Sequence, residues 1–351
     1  MPRFLQDIPG IALQLAVGAG GGFLALLLGL PMPFLIGSLL AVGLISMVAE
    51  ARFATVPAFP ELLRRSFVCI IGVLIGLSFS PELLGSLADL WLSVLVLALF
   101  VPVAFAVSYA VYRGIGGYDR PTAVFASMPG GLIEAISIGE QAGGNVAILT
   151  VQHFARITLV VVVVPALFWF WSGEAVGSAA GESLSATTYG SVDIIRIVLI
   201  ALVGIVLGKK MRLPAGVLTG PLLLSAVLHG GGLAVTQSPG WLLNLAQMVV
   251  GTGLGATFAG ISRRQLIRSF SLGLLAMALV LCIALMFAVG LSHFTEISAE
   301  VLFISYTPGG VTEMSLIALS LGISPILVAA HHLFRIAITV VLMSVLAKRL
   351  D

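Results

Sequence analysis

The chain has 351 residues, of which 59% are hydrophobic and 9% are charged, with 17 Lys and Arg against 15 Asp and Glu. A soluble globular domain carries about 25% charged residues, so this composition excludes a soluble fold and indicates a chain embedded in a lipid bilayer. The net charge of +2, without any basic tract, predicts no nucleic-acid partner.

Apolar segments of bilayer-spanning length, roughly 17–25 residues, recur along the whole chain. In the first half, the predicted spans are 11–30, 33–49, 66–79, 91–112 and 146–171. In the second half, they are 194–207, 216–228, 242–259, 272–291 and 326–346. Because the first apolar run is longer than the core of a signal peptide and further spans follow it, we expect an uncleaved helix there.

Each half also contains one segment that does not resemble a plain span, at 121–144 and at 298–322. A Pro-Gly-Gly sequence interrupts the middle of both segments. Proline lacks a backbone donor and glycine adds conformational freedom, so a helix must break there. Broken backbone at membrane depth is tolerated only where it is buried in protein or lines a cavity.

The two broken segments belong to an internal repeat. The sequence Ser-Met-Pro-Gly-Gly-Leu-Ile-Glu at 127–134 matches Tyr-Thr-Pro-Gly-Gly-Val-Thr-Glu at 306–313, and His-Phe-Ala-Arg at 153–156 matches His-Leu-Phe-Arg at 332–335. All of these matched positions are 179 residues apart, as Pro129 and Pro308 are. We therefore predict two homologous membrane repeats, 1–171 and 192–351, joined by a linker at 172–191 that is rich in Gly, Ser and Ala.

Lysine and arginine mark the cytoplasmic loops of membrane proteins. In the first half they lie before span one and after spans two and four, whereas in the second half they follow spans one and three. All of these loops face the cytoplasm only if the halves have opposite orientations. The sequence thus predicts an all-α polytopic protein of the bacterial inner membrane with both termini cytoplasmic. Its two inverted repeats each have about five spanning helices and one re-entrant, broken helical hairpin.

Arg156 and Arg335 are the candidates for binding an anionic substrate. Counted from the start of its predicted helix, Arg156 lies roughly 16 Å deep, near the middle of a hydrocarbon core about 30 Å thick. A charge there is costly unless it is paired or hydrated, and a planar guanidinium suits carboxylates. The alternative is a structural tie to Glu134, to Glu313 or to carbonyls freed by the helix break.

Four residues are candidates for proton coupling. His153 and His332 lie three residues before the arginines on the same helix face, and imidazole titrates near physiological pH. A hydrogen bond to a broken-helix carbonyl explains these histidines equally well. Glu134 and Glu313 fall in the first turn after each Gly-Gly, where they either exchange protons in a low-dielectric site or stabilise a helix N-terminus.

The breaks expose backbone amides at helix N-termini, which attract anionic groups. The predicted substrate-binding set therefore adds both tips and the polar side chains beside them: Ser127, Pro129, Gly130, Gly131, Tyr306, Pro308, Gly309, Gly310 and Thr312. No cofactor and no metal site are predicted, and Cys69 and Cys282 lie in apolar runs as ordinary buried residues do.

The duplicated Pro-Gly-Gly-(x)3-Glu segment followed by His-x-x-Arg resembles the membrane AbrB duplication family over roughly residues 11–347. Members of that family carry two labels, "AbrB family transcriptional regulator" and "putative ammonia monooxygenase". The resemblance brings no catalytic residues, so it implies only that the motif positions matter: Pro129, Gly130, Gly131, Glu134, His153, Arg156 and their repeat mates.

Inverted repeats with paired broken helices are typical of secondary transporters, in which two halves alternate around a midplane site. We therefore expect a transporter of a small organic anion, coupled to protons or another cation and not acting as an enzyme. The expected partners are the anionic ligand and the lipid bilayer, with a homo-oligomer also compatible. A membrane sensor that binds the same ligand without flux is the alternative. A monooxygenase fits less well, because the arginines would repel a metal cation beside His153 and His332.

Overall fold

The computed structural model describes residues 3–52, 57–79, 83–172, 190–232 and 240–350. Within these ranges the chain forms fourteen α-helices and one π-helical turn. Residues 173–189, which make up most of the predicted linker, lie outside the described residues.

The helices of the first half are α1 Arg3–Leu27, α2 Pro33–Arg52, α3 Glu61–Leu77, α4 Leu83–Ala110, α5 Arg120–Ala126, α6 Leu132–Gln141 and α7 Val146–Ser172. The π turn Val111–Ile115 extends α4. The helices of the second half are α8 Ser191–Lys210, α9 Gly216–Gly230, α10 Gly240–Ala256, α11 Arg263–Ser292, α12 Ala299–Tyr306, α13 Val311–Ser320 and α14 Pro325–Ala347.

Six helical stretches among the described residues are long and apolar enough to cross a bilayer: Ile8–Leu27, Leu90–Ile115, Val146–Phe170, Ser191–Lys210, Arg263–Ser292 and Pro325–Ala347. The prediction of an all-α polytopic membrane protein is therefore confirmed. The other four predicted spans form the shorter helices α2, α3, α9 and α10. The count of ten crossings and the opposite orientation of the halves stay predictions.

Both Pro-Gly-Gly segments form two short helices separated by a break, as the sequence predicts. Asp119 caps the first helix of its segment by accepting a hydrogen bond from Thr122 N at 2.9 Å. Ser298 caps the equivalent helix of the second half by accepting one from Val301 N at 3.4 Å. After the first break, Gly131 has a φ of +62°, which a residue with a side chain adopts only at a cost.

The described residues divide into two compact units, and each unit takes helices from both halves of the sequence. One unit draws on Met1–Phe79, Val162–Ile261 and Leu319–Gly322, and the other on Ser80–Val161, Ser262–Ala318 and Ile323–Asp351. The first unit contains α1–α3 and α8–α10. The second contains all four helices of the broken segments, α11, α14, most of α4 and the first part of α7.

Close helix packing in the first unit is reciprocal between the halves. A Cβ atom added at Gly72 of α3 would lie 2.4 Å from Leu218 O of α9, and one added at Gly251 of α10 would lie 2.4 Å from Leu35 O of α2. Gly72 and Gly251 are repeat mates in the sequence alignment. Matched glycines therefore make matched backbone contacts, each with a helix of the other half.

Candidate functional site

The tips of the two broken segments meet at one small cavity in the second unit. Pro129 and Pro308 both line it, together with Ser127 and Arg156. Its volume is about 10 Å³, which is room for about one water molecule. The two breaks, which lie 179 residues apart in the sequence, thus share one polar centre.

The packing of the tips explains the need for glycine at both breaks. A Cβ atom at Gly130 would lie 3.3 Å from Thr339 Oγ1 of α14, and one at Gly309 would lie 3.0 Å from Val160 Cγ1 of α7. Val160 and Thr339 are themselves 179 residues apart. Each break therefore rests on the long helix of the other half, and a side chain at either glycine would push the two apart.

Arg156 projects from α7 towards the first break. Its Nη1 donates a hydrogen bond to Met128 O, the carbonyl directly before Pro129. Its Nε is buried and has no hydrogen-bond partner among the described residues. Because Arg156 also lines the cavity and is only partly buried, part of its donor capacity is directed at that cavity.

Arg335 makes the equivalent contact with the second break but is more fully committed. Its Nη1 donates to Thr307 O, the carbonyl directly before Pro308, and its Nη2 donates to Gly309 O. Nη1 also lies 3.3 Å from His332 Nε2. With 1% of its surface exposed, Arg335 holds the second tip in place.

The positive charges of these two arginines have no carboxylate partner within ion-pair distance in the described ranges. The tie to broken-helix carbonyls, which the sequence left as an alternative, is thus present, whereas the tie to Glu134 or Glu313 is not. Carbonyl oxygens satisfy donors without neutralising a full charge. The centre therefore favours an anion electrostatically.

Glu134 and Glu313 fold back onto their own helix starts. A Cβ atom at Gly131 would lie 3.3 Å from Glu134 Oε2, and one at Gly310 would lie 2.0 Å from Glu313 Oε2. Glu313 is 6% exposed, whereas Glu134 is exposed. Both positions suit a carboxylate that stabilises a helix N-terminus, and a role in proton coupling stays a prediction.

The two predicted histidines are buried and hold opposite tautomers. His153 Nε2 lies 3.1 Å from Phe125 O, and His332 Nδ1 lies 3.0 Å from Val328 O. Because a carbonyl oxygen only accepts hydrogen bonds, those nitrogens carry the proton. His332 Nε2 then accepts from Arg335, and His153 is tied to a carbonyl of α5 close to the first break.

The remaining predicted polar residues are divided between the cavity and its surroundings. Ser127 lines the cavity and donates to Ala123 O at 2.6 Å. Tyr306 is fully buried but does not line it, because its hydroxyl donates to Ser93 O at 2.7 Å and its ring stacks on Phe100. Thr312 lies half-buried in the first turn of α13, also outside the cavity lining.

Several residues of this region were not predicted. Tyr112 and Ser108 line the cavity, and Tyr112 reaches it from the π turn that follows α4, an irregularity that no sequence pattern announced. His331 is fully buried beside Ser93. The repeat drew attention to His332 instead, because the mate of His332 is a histidine whereas the mate of His331 is Gln152.

Comparisons with known proteins agree with the duplicated motif. A family described as "Transition state regulatory protein AbrB" matches residues 34–351. "Uncharacterized protein YhjN" of Bacillus subtilis (strain 168) is 29% identical over 352 residues, covering 94% of this chain and 90% of that protein. "Putative regulator AbrB" of Escherichia coli (strain K12) is 26% identical over 318 residues, covering 90% of this chain and 88% of that protein. The matches extend across both broken segments.

Proposed function

This chain belongs to the AbrB family, and from that premise and the geometry of the breaks we propose that it is a secondary transporter of a small organic anion. Its transport is coupled to protons or to another cation. The observation that carries the proposal is the pair of guanidinium groups at the broken tips, which have no carboxylate partner in the described part of the chain. Charged groups inside membrane spans are costly and mark ligand pathways.

The two arginines have different roles in this proposal. Arg156 faces the cavity with donors to spare, so it binds the anionic group of the substrate. Arg335, whose donors already reach two carbonyls and a histidine, keeps the second tip in shape. Ser127 and Tyr112 supply hydroxyl groups on the same cavity wall and complete its polar lining.

The size of the cavity implies a conformational cycle. About 10 Å³ holds a water molecule but not an organic anion, so substrate enters only after the tips separate from the helices they rest on. Contacts of each tip with the long helix of the other half, at Gly130 and at Gly309, are where that separation occurs. Such a closed centre is one state of an alternating-access cycle.

The setting follows from the sequence. The chain lies in a bacterial inner membrane with both termini in the cytoplasm, and its partners are the anionic ligand and the bilayer, with a homo-oligomer compatible. It is neither a nucleic-acid-binding protein nor an enzyme. A metal-dependent monooxygenase fits the site poorly, because the arginines would repel a metal cation near His153 and His332.

A membrane sensor with the same ligand site is the second candidate. The printed name of the Escherichia coli relative, "Putative regulator AbrB", favours it, and the closed cavity is compatible with binding that is not followed by release on the other side. Flux separates the two candidates, because a sensor binds its ligand without turnover.

The experiment is transport by purified protein in proteoliposomes that contain a pH-sensitive dye. The panel comprises acetate, lactate, pyruvate, succinate, methylamine and ammonium, each applied as an inward gradient. We expect proton movement driven by at least one carboxylate and lost in Arg156→Gln. Arg120→Gln, which changes an exposed arginine at the start of α5, is the matched control and retains flux. Binding of a carboxylate without flux would replace the transporter with the sensor.

A further inference from the structure

Three histidines are buried in the second unit, and their hydrogen-bond partners differ. His331, His332 and His153 are each 0% exposed. A buried imidazole can exchange a proton only if both of its protonation states find partners, because an unpaired buried donor or acceptor is costly. The partners of each ring therefore show which one can carry a proton.

His331 of α14 has partners for both states. Its Nδ1 lies 2.7 Å from Leu327 O, so that nitrogen carries a proton. Its Nε2 lies 2.7 Å from Ser93 Oγ of α4. Ser93 Oγ in turn lies 2.9 Å from Leu90 O, one turn back along its own helix. The serine hydroxyl thus has two acceptors in reach, the imidazole nitrogen and a carbonyl oxygen.

This arrangement lets a proton arrive without moving a backbone atom. In the neutral state Ser93 donates its hydroxyl proton to His331 Nε2. When a proton from water binds to Nε2, the ring donates to Ser93 Oγ, and the hydroxyl proton rotates to Leu90 O. Every donor and acceptor of the pair is satisfied in both states.

The other two histidines are not arranged in this way. His332 Nε2 faces Arg335 Nη1 at 3.3 Å, so a proton there would set one donor against another next to a positive charge. His153 Nδ1 is buried and has no partner among the described residues, so a proton there would create an unpaired buried donor beside Arg156. Both rings are built to stay neutral.

We propose that His331 and Ser93 form the proton-binding site of the transport cycle, an inference whose coupling step rests on the proposed function. The groups around His331 are Ser93 of α4, Tyr306 of α12, and His332 and Arg335 of its own helix. None is a carboxylate. Helix α6 meets α14 near Met343, about three turns away.

The position of the site indicates how proton and substrate interact. Arg335 lies four residues beyond His331, about 6 Å along the same helix. A proton on His331 therefore adds a second positive charge near the anion site and strengthens anion binding, and by reciprocity the anion strengthens proton binding. Proton and anion bind together, which is the requirement for moving both in the same direction.

The repeat supplies the variant that tests this inference. The position matched to His331 is Gln152, whose amide donates to Ser269 O at 3.1 Å and accepts from the Tyr118 hydroxyl at 3.3 Å. An amide thus bridges the equivalent helices in the first half and cannot take up a proton. His331→Gln places the same group opposite Ser93, where it can keep both hydrogen bonds.

The direct test is a titration of the imidazole nitrogens by ¹⁵N NMR on purified protein with labelled histidine, from about pH 8 to about pH 5. With five histidines in the chain, the His331 signals are assigned by their loss in His331→Gln. We expect them to report proton uptake, and expect Ser93→Ala to move that uptake to lower pH because the protonated Nε2 loses its acceptor. Titration of His153 or His332 while His331 stays neutral would overturn the proposal.

Flux measurements separate this inference from the proposed function. Carboxylate-driven proton movement is expected in the wild type and in His293→Gln, an exposed control, and is lost in His331→Gln, with the pH dependence of apparent substrate affinity falling from about tenfold to none. Intact coupling in His331→Gln would reject the proton site and leave the transporter standing. A titrating His331 in a protein without flux would reject the transporter and leave the proton site standing.

Discussion

Replacing Arg335 with alanine removes a side chain that is 1% exposed and that ties α14 to the second break. Its two carbonyl partners are affected unequally. Thr307 O keeps a hydrogen bond from Gly309 N at 2.8 Å, whereas Gly309 O loses its donor at the tip. Arg156→Ala removes the matched contact with Met128 O from a side chain that is only partly buried.

Three effects set the magnitude for Arg335→Ala. Two hydrogen bonds from a charged donor are worth about 3–6 kcal/mol together, and burial of the three-carbon stem adds about 2 kcal/mol. Removing a buried charge returns about 3 kcal/mol. The net expected loss in the free energy of unfolding is about 2–5 kcal/mol. For Arg156→Ala, one such bond and a less buried charge give about 0–2 kcal/mol.

The comparison is made on ligand-free protein by steric-trap unfolding in bicelles, with both variants prepared in parallel. Arg335→Ala is expected to lose about 2 kcal/mol more than Arg156→Ala. Equal losses, or a larger loss in Arg156→Ala, would show that the division into a structural and a ligand-binding arginine is wrong.

Two further changes test the packing of the helices. Gly72→Ala places a methyl group 2.4 Å from Leu218 O and should cost about 1–3 kcal/mol of unfolding free energy, as should the matched Gly251→Ala, whereas Gly20→Ala, with nothing within 4 Å, should cost nothing; equal effects at the three sites would contradict the close contacts. Gly131→Ala forces a side chain into a φ of +62° and should lower the same free energy by about 1–3 kcal/mol, and an unchanged stability would mean that the break has another shape.

Local sequence chemistry was sufficient for the elements. The Pro-Gly-Gly sequences predicted two broken helices because proline and glycine act through the backbone alone, and the apolar runs predicted helices because a bilayer demands internal hydrogen bonds. The glycine pairs beginning at Gly72 and Gly251 predicted close packing, which the contacts with Leu218 O and Leu35 O confirm.

Partner identities in the site depend on the three-dimensional arrangement and were only partly predictable. The alignment gave Arg156 and Arg335 equal standing, yet one lines the cavity and the other is enclosed by Thr307 and Gly309. That difference arises because the surrounding helices are not identical in sequence. His331 was missed for the same reason, since its partner Ser93 lies 238 residues away and no sequence pattern connects them.

The assembly of the compact units was also beyond the sequence. The repeat predicted two halves that follow each other along the chain, whereas each compact unit takes helices from both. Contacts such as Gly130 with Thr339, and Gly309 with Val160, form only because helices of the two halves pack together within a unit.

The most direct test of the account is ligand binding to the charged centre, measured as the shift in unfolding temperature of purified protein with lactate, pyruvate, acetate, succinate, methylamine and ammonium. The account predicts that a carboxylate stabilises the wild type and Arg120→Gln, that neither amine does, and that Arg156→Gln loses the effect. Stabilisation by the amines, or an undiminished carboxylate effect in Arg156→Gln, would contradict an anion site at Arg156.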